Sequence, residues 1–266
     1  MSIKKIHLPP GKKIYFASDN HLGAPNMQES LPREKLFLAW LEQIKHDAAA
    51  IFLLGDLFDF WFEYTTVVPK GFTRTLGKLA ELTDAGIPIH YFVGNHDLWM
   101  HGYFEEELNI PVYHRPQQFM IDGTAFFIGH GDGLGPDDKG FKRMKKVFTN
   151  PVAKWAFKWL HPDLGVRLGK HLSVKNKLIS GDGDVRFLGE DKEWLVQYAK
   201  RKLERDHYDY FVFGHRHLPL SIALNPQSTY INLGDWIQYY TYAIFDGVSV
   251  SLEKFDVGSY RSPSNN

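Results

Sequence analysis

Five short apolar runs, each followed by polar side chains, constrain this chain more than any other feature. The runs begin at Ile14, Ile51, Ile89, Ala125 and Tyr210 and are rich in β-branched and aromatic residues. Short runs of this kind, punctuated by Gly, are typical of buried β-strands. Open α/β sheets build their sites at strand ends. The sequence therefore predicts an α/β protein with a polar site at the strand ends.

The polar residues behind these runs are oxygen and imidazole donors, and the chain has no Cys that could add a thiolate. The candidate metal ligands are Asp19, His21, Asp56, Asn95, His130, His215 and His217. Such a set is too large for one ordinary site and suits two metals that share a bridging carboxylate. Asp56 is the natural bridge because it lies between the first and third groups. These donors favour Mn, with Fe or Zn as alternatives.

Several neighbouring residues have other predicted roles. Asp132 and Asp235 are candidates to orient ligating histidines, with plain loop capping as the alternative. Asp59 and Glu63 follow the bridging Asp56 closely but fall outside the ligand pattern.

The motifs, taken in order, resemble those of the calcineurin-like metallophosphoesterase superfamily. They are Asp-x-His, Gly-Asp, Gly-Asn-His-Asp, Gly-His-Gly-Asp and Gly-His-x-His, spread over residues 12–217. The resemblance implies a four-layer α/β/β/α sandwich and a dinuclear metal centre. It assigns one metal to Asp19, His21, Asp56 and His217, and the other to Asp56, Asn95, His130 and His215. It also implies that His96 contacts the phosphoryl group and that Asp97 orients His96.

Length and composition predict a single globular domain. The chain has 266 residues and is 44% hydrophobic, which provides ample core. We expect the domain to span residues 1–257, with a helical insertion at 135–190 and a flexible tail at 258–266. The first residues lack the apolar core of a signal peptide. Together with the absence of Cys, this favours a cytoplasmic protein.

Hydrophobic periodicity predicts helices over residues 32–47, 73–85 and 190–205. A further helix in the insertion should begin at Pro151 and end around residues 161–165. Four antiparallel strands are predicted after His217, within residues 222–255.

The predicted insertion is strongly basic although the chain has no formal net charge. Residues 139–177 contain eleven Lys or Arg and one acid, Asp163. Within them an apolar stripe recurs at helical spacing: Val152, Trp155, Ala156, Trp159 and Leu160. A basic amphipathic helix with Trp is typical of a membrane-surface element. A nucleic-acid partner and an ordinary core-covering helix are the alternatives. The aromatic residues share one face instead of interleaving with the basic ones, which favours acyl chains over nucleobases.

Three details resemble the UDP-2,3-diacylglucosamine diphosphatases of lipid A synthesis. They are the aromatic cluster after Asp56, the insertion containing Asp137 and Asp138, and Leu233-Gly234-Asp235-Trp236. The resemblance implies attack at the α-phosphorus, which yields UMP and 2,3-diacylglucosamine 1-phosphate. It implies a lid for the acyl chains and peripheral binding to the inner face of the cytoplasmic membrane. The candidate substrate-binding residues are Asp138, Trp155, Trp159, Leu160, Arg167, Lys175 and Lys177.

One motif departs from that family, whose best-known members carry Arg where this chain has His96. Arg offers a permanent bidentate charge, whereas His offers one hydrogen bond and a titratable proton. A His acid is of more use when the leaving group is an alkoxide. A general phosphoesterase acting on nucleotides or small phosphodiesters is therefore the alternative function. A non-catalytic scaffold is a remote third, because such a protein should show gaps in its ligand set.

Overall fold

Twelve strands form two mixed six-stranded sheets in the computed structural model, which describes residues 3–135, 146, 150–169, 187 and 189–258. The strands are β1 (Lys4–Ile6), β2 (Lys13–Ala17), β3 (Ala48–Leu53), β4 (Ile89–Phe92), β5 (Val112–Tyr113), β6 (Gln117–Ile121), β7 (Thr124–Ile128), β8 (Tyr210–Phe213), β9 (Pro219–Asn225), β10 (Ser228–Leu233), β11 (Thr241–Phe245) and β12 (Val250–Lys254). One sheet has the order β1-β6-β7-β8-β10-β9, and the other β12-β11-β2-β3-β4-β5.

The helices lie between these strands in sequence. They are α1 (Met27–Ile44), α2 (Thr73–Asp84), α3 (Tyr103–Leu108), α4 (Pro151–Lys158), α5 (residues 162–169) and α6 (Trp194–Leu203). A short 3-10 turn at Glu190–Lys192 precedes α6.

Alternation along the strands explains how the layers pack. In β2, Ile14 and Phe16 point into the space between the two sheets, while Tyr15 and Ala17 point toward the helices. The Phe16 ring stacks on Phe52 of its own sheet at 5.1 Å and on Phe126 of the other at 6.0 Å. Two sheets packed face to face, each bearing helices on its outer face, form the predicted sandwich, so the fold class is confirmed.

The outer layers have their own apolar cores. On one side, Trp40 of α1 packs against Trp236, with ring centroids 5.2 Å apart. On the other, Leu195 and Ala199 of α6 are fully buried against Phe211 and neighbouring residues.

Two helices differ from the sequence prediction in their boundaries. Helix α1 begins at Met27, five residues before the expected start, because Asn26 caps it by accepting a hydrogen bond from Glu29 N at 3.0 Å. Pro32 therefore lies inside the helix, where its ring was expected to mark the start. The predicted helix over residues 190–205 is divided at Glu193 into the 3-10 turn and α6.

In the insertion, Pro151 occupies the first turn of α4 as predicted, and Asn150 caps the helix through Val152 N at 2.8 Å. However, α4 ends at Lys158, and α5 continues through Gly165, which was expected to terminate the helix. The candidates Asp138, Lys175 and Lys177 lie outside the described residues. In the parts of the chain that the structure describes, no helix has the length and apolarity needed to span a membrane.

Candidate metal centre

Each candidate ligand stands in a loop at the end of a strand. Loops after β2, β3 and β4 of one sheet bring Asp19, His21, Asp56 and Asn95. Loops after β7 and β8 of the other sheet bring His130, His215 and His217. The two sets meet where the sheets face each other, so the centre draws on both sheets.

The loop backbone is strained where it carries these side chains. Positive φ angles occur at Asp19 (56°), His21 (45°), Asp56 (52°), His215 (71°) and His217 (50°). Non-glycine residues in this region are uncommon and cluster at functional sites, where the surroundings hold them. Backbone hydrogen bonds hold two of the loops together, from Asp19 N to Gly55 O at 3.1 Å and from His21 N to Asp56 O at 2.8 Å.

Glycine is required where two of these loops approach each other. A Cβ on Gly55 would lie 2.6 Å from Gly94 N and 2.7 Å from His130 Nδ1. A Cβ on Gly214 would lie 2.5 Å from Ser18 Oγ. Any side chain there would push the ligand loops apart, which explains the Gly before Asp56 and the Gly before His215.

The first ligand group consists of Asp19, His21 and His217, whose donor atoms converge. The two Nε2 atoms of His21 and His217 face each other at 3.2 Å. Asp19 Oδ2 accepts a hydrogen bond from His215 N at 2.9 Å, and Asp19 Oδ1 lies 3.4 Å from His217 Nε2. Asp19 Oδ1 is buried without a hydrogen-bond partner. A buried, unpaired carboxylate oxygen among imidazoles fits a bound cation, which would pair with it.

The second group consists of Asp56, His130 and His215, and Asn95 Oδ1 lies 3.2 Å from His130 Nε2. Asp56 Oδ1 accepts a hydrogen bond from His96 N at 2.8 Å. Asp56 Oδ2 lies 3.4 Å from His130 Nε2 and 3.7 Å from His21 Nε2. One oxygen of Asp56 thus faces both groups, as a bridging carboxylate requires.

Burial and mutual charge dominate the electrostatics of the centre. Burial raises the pKa of Asp19. Burial alone would raise the pKa of Asp56 as well. The imidazoles of His130 and His96 nevertheless hold the pKa of Asp56 well below its usual range. Burial and the nearby His130 lower the pKa of His215. Opposite shifts within one buried cluster are typical of functional sites. The residues present therefore fit a divalent metal centre.

The histidine expected to meet the phosphoryl group has a partner that the sequence did not indicate. His96 Nδ1 lies 2.9 Å from the Asp59 carbonyl oxygen and 3.7 Å from Asp59 Oδ1. Asp59 Oδ1 also lies 3.4 Å from His21 Nδ1. Asp59, absent from the predicted site, therefore lies between two of its histidines. The spacing Gly-Asp-x-x-Asp was the available signal.

Asp97 was expected to orient His96, and its contacts are different. Asp97 Oδ1 accepts a hydrogen bond from Gly94 N at 2.6 Å, and Oδ2 accepts one from Leu57 N at 3.2 Å and another from the Tyr91 hydroxyl. Burial, followed by the charge of Asp56, raises the pKa of Asp97 to about 7. Asp97 therefore fixes the backbone of the loops that carry Asp56 and His96. The His96 ring is contacted by Asp59 instead.

Two further groups contact candidate ligand histidines. Asp235 Oδ2 lies 3.3 Å from His217 Nδ1, and Asp235 Oδ1 accepts hydrogen bonds from three backbone amides that follow it. Asp235 thus has both roles considered for it, orientation and loop capping. His130 Nδ1 lies 2.6 Å from the Leu54 carbonyl oxygen, a backbone contact that no sequence motif reveals.

The apolar stripe of the insertion is exposed. Trp155 is 62% exposed, Trp159 75% and Leu160 38%, and Arg167 is also exposed. In α4, Phe157 contacts the protein body: its ring lies 4.6 Å from Phe62 and 4.9 Å from Trp99. Sequence reasoning did not single out Phe157, since it lies outside the stripe.

The chain belongs to the Calcineurin-like phosphoesterase family, which it matches over residues 12–219. It is a metal-dependent hydrolase of that family. A protein named UDP-2,3-diacylglucosamine hydrolase from Porphyromonas gingivalis is 39% identical to it over 92% of this chain and 98% of that protein. A protein of the same name from Actinobacillus succinogenes is 25% identical over 84% of this chain and 92% of that protein.

Proposed function

We propose that this protein hydrolyses the diphosphate of UDP-2,3-diacylglucosamine at the α-phosphorus and releases UMP and 2,3-diacylglucosamine 1-phosphate in lipid A biosynthesis. The observation that carries the proposal is the insertion, which presents an exposed apolar face while Phe157 docks it on loops beside the candidate metal centre. The names and nearly full-length matches of the relatives support the same substrate.

In this proposal two divalent ions, Mn first and Fe or Zn as alternatives, would share Asp56. Asp19, His21 and His217 would hold one ion, and Asn95, His130 and His215 would hold the other. When bound, such a pair lowers the pKa of water and neutralises charge on phosphoryl oxygens.

The chain's own residues orient the substrate phosphate. Asp59 fixes the His96 ring through Nδ1, so His96 Nε2 is the atom that would meet a phosphoryl oxygen. In this position the His96 ring would stabilise the negative charge that develops on the phosphoryl oxygens. Water attacks the α-phosphorus, the bond from that phosphorus to the bridging oxygen breaks, and the bridging oxygen leaves with the sugar phosphate.

The exposed stripe of α4 would bind the acyl chains, and the basic residues around it would face the diphosphate or a lipid headgroup. Trp155 and Trp159 lie with ring centroids 6.0 Å apart on one exposed surface. We assign Arg167, and beyond the described residues Asp138, Lys175 and Lys177, to substrate binding. We also propose that this surface binds the inner face of the cytoplasmic membrane peripherally, as amphipathic helices rich in Trp and Lys do.

The experiment that tests this function is incubation of the purified chain with Mn²⁺ and UDP-2,3-diacylglucosamine in water labelled with heavy oxygen. We expect UMP carrying the label, because attack at the α-phosphorus leaves the new oxygen on UMP. UDP-glucose is the control and should stay intact. Label in the sugar phosphate would place the attack at the β-phosphorus. Hydrolysis of a simple phosphodiester without UMP from the lipid would favour the general phosphoesterase.

Replacement of Trp155 tests the acyl surface. Trp155→Ala should raise KM for UDP-2,3-diacylglucosamine about ten- to a hundredfold, since burying a large apolar side chain against an acyl chain stabilises the complex by roughly 1.5–3 kcal/mol. Turnover of a small chromogenic phosphodiester should be unchanged. An equal loss on both substrates would instead assign Trp155 a structural role.

A further inference from the structure

The turn between the last two candidate ligands contains a buried ion pair that the proposed chemistry does not use. Arg216 stands between His215 and His217 and is 5% exposed, and its partner Glu193 is 1% exposed. Arg216 Nε donates to Glu193 Oε2 at 2.9 Å, and Nη2 donates to Oε1 at 2.8 Å. Both carboxylate oxygens are thus bound by one guanidinium, the bidentate geometry that fixes direction as well as charge.

This turn is strained on both sides of Arg216. The φ angles of His215 and His217 are 71° and 50°, and Arg216 N donates to Gly214 O at 2.9 Å within the same turn. Strained residues persist only where the surrounding structure over-determines them. The two hydrogen bonds from the Arg216 guanidinium to Glu193 supply such a constraint, since Arg216 lies directly between His215 and His217 in the chain.

Glu193 lies where the chain returns from the insertion. It follows the 3-10 turn Glu190–Lys192 and directly precedes α6, and its amide donates to Gly189 O at 3.2 Å. The next residue, Trp194, has its ring 5.8 Å from that of His215. A Cβ on Gly135, where the chain enters the insertion, would lie 3.2 Å from the Trp194 ring. Both ends of the insertion therefore meet beside the His215–His217 turn.

Neither stability nor simple electrostatics explains the pair. A buried ion pair is often no more stabilising than apolar residues of the same volume, because both charges lose their hydration. A cation between two metal ligands also opposes the binding of a divalent cation. What remains is the orientation that the two hydrogen bonds impose on the Arg216 side chain and on its turn.

We propose that Glu193 and Arg216 are a positioning pair, which holds His215 and His217 in ligating orientation and makes metal affinity depend on the root of the insertion. The inference rests on the dinuclear centre of the proposed function. Because His215 belongs to one ligand group and His217 to the other, the pair acts on both metal sites.

The test is Mn²⁺ binding by the full chain, stripped with EDTA and followed by isothermal titration calorimetry. Glu193→Gln and Arg216→Met should each weaken Mn²⁺ binding at least about tenfold, the range found for residues that orient metal ligands. Arg216→Met separates position from charge, since loss of a nearby cation alone would tighten Mn²⁺ binding. Tighter or unchanged binding would overturn the proposal.

Arg216→Lys keeps the charge and loses the fork, so it should also bind Mn²⁺ more weakly than the wild type. Wild-type affinity in Arg216→Lys would show that charge suffices and would overturn the positioning role. If Arg216→Met does not fold, Glu193→Gln and Arg216→Lys still give the answer.

The matched control is Glu34→Gln, which removes another buried carboxylate, one bonded to Thr75 Oγ1 at 2.9 Å between α1 and α2. It should change the melting temperature of the metal-free chain and leave Mn²⁺ affinity unchanged. If Glu193→Gln behaves in the same way, the pair is merely structural and the proposal fails. Failure of the wild type itself to bind two Mn²⁺ would instead refute the proposed function.

Discussion

At the scale of single residues, the two carboxylates of the centre divide their oxygens in the same manner. In Asp19 and in Asp56, one carboxylate oxygen accepts a hydrogen bond from a backbone amide of a neighbouring loop. The other carboxylate oxygen faces histidine rings. The first contact holds the loop, and the second presents the donor. A substitution at either residue should therefore affect loop geometry and metal binding together.

Asp56→Asn should release metal and abolish turnover, because a neutral amide cannot bridge two cations. We expect kcat/KM to fall by more than the roughly 10–100-fold loss that accompanies changes at ligand-orienting residues. Metal content by mass spectrometry and steady-state kinetics check this prediction. Asp122→Asn is the control, because this carboxylate is paired with His7 in an exposed position and should keep both properties. Intact metal content in Asp56→Asn would disprove the bridging role.

Asp59→Asn should lower kcat about 10–100-fold, since His96 and His21 would both lose the carboxylate beside Nδ1. Kinetics at saturating Mn²⁺ check the effect and separate the two histidines. Full recovery of kcat at high Mn²⁺ would mean that Asp59 acts through His21 alone.

The seven predicted ligands were accessible from the sequence because they follow apolar runs, and four of them, Asp56, Asn95, His130 and His215, come directly after a Gly. Of the groups found beside them, Asp235 was predicted, and the others were not. The Leu54 carbonyl carries no side-chain signal. Asp59 lies beside His21 and His96 only because of the tertiary fold. The same is true of the contact between Glu193 and Arg216. Asp97 illustrates the opposite case, since the family resemblance implied a contact with His96, whereas Asp97 contacts Gly94 N and Leu57 N.

At the scale of elements, strand β4 carries a buried histidine that is separate from the metal centre. The His90 ring stacks on Phe52 with centroids 4.7 Å apart, and Nδ1 lies 3.2 Å from the Tyr113 hydroxyl. Burial, aided by the charge of Lys4, lowers the pKa of His90 to about 4. The folded protein therefore holds His90 neutral where the unfolded chain would protonate it.

His90→Phe should weaken the dependence of the free energy of unfolding on pH below pH 6.5. Between pH 6.5 and about 4 the unfolded chain binds more protons at this residue, so the free energy of unfolding falls as pH falls through this window. The contribution is at most roughly 3 kcal/mol for a shift of this size. Urea unfolding of the metal-free chain from pH 4 to 7 measures it. An equally steep pH dependence in the variant would contradict the assignment.

Element boundaries show where local signals compete with tertiary packing. Nine of the twelve strands followed from apolar runs in the sequence, whereas β1, β5 and β6 were not predicted. Strand β10, expected among antiparallel strands, also pairs in parallel with β8. The start of α1 was not predicted either, because the Asn26 cap outweighed the loss of one backbone hydrogen bond at Pro32. The apolar stripe of α4 predicted the helix, yet its period could not distinguish a face toward the core from a face toward solvent.

At the scale of the whole molecule, the insertion is fastened to the body by close packing. Phe157 contacts Phe62 and Trp99, and a Cβ on Gly169 of α5 would collide with the ring of Phe60. Phe60 and Phe62 belong to the loop that follows Asp56. The proposed acyl surface is therefore held at a fixed distance from the centre.

Gly169→Ala should lift α5 from Phe60 and raise KM for UDP-2,3-diacylglucosamine several-fold, with hydrolysis of a small phosphodiester unchanged. Gly77→Ala is the matched control, because a Cβ there meets nothing within 4 Å. In a helix interior this control should stabilise the protein by roughly 0.5–1 kcal/mol. Identical kinetics in the two variants would show that the close approach of α5 has no bearing on the substrate.

The division of the ligands between the two sheets has a consequence beyond catalysis. Asp19, His21, Asp56 and Asn95 come from one sheet, and His130, His215 and His217 from the other, so a bound ion acts as a cross-link across the sandwich. Ligands that bind only the native state raise its stability with the logarithm of their free concentration. In a cell starved of divalent metal, the chain would open more often along this seam and be degraded sooner, so the metal supply would set the abundance of the protein as well as its rate.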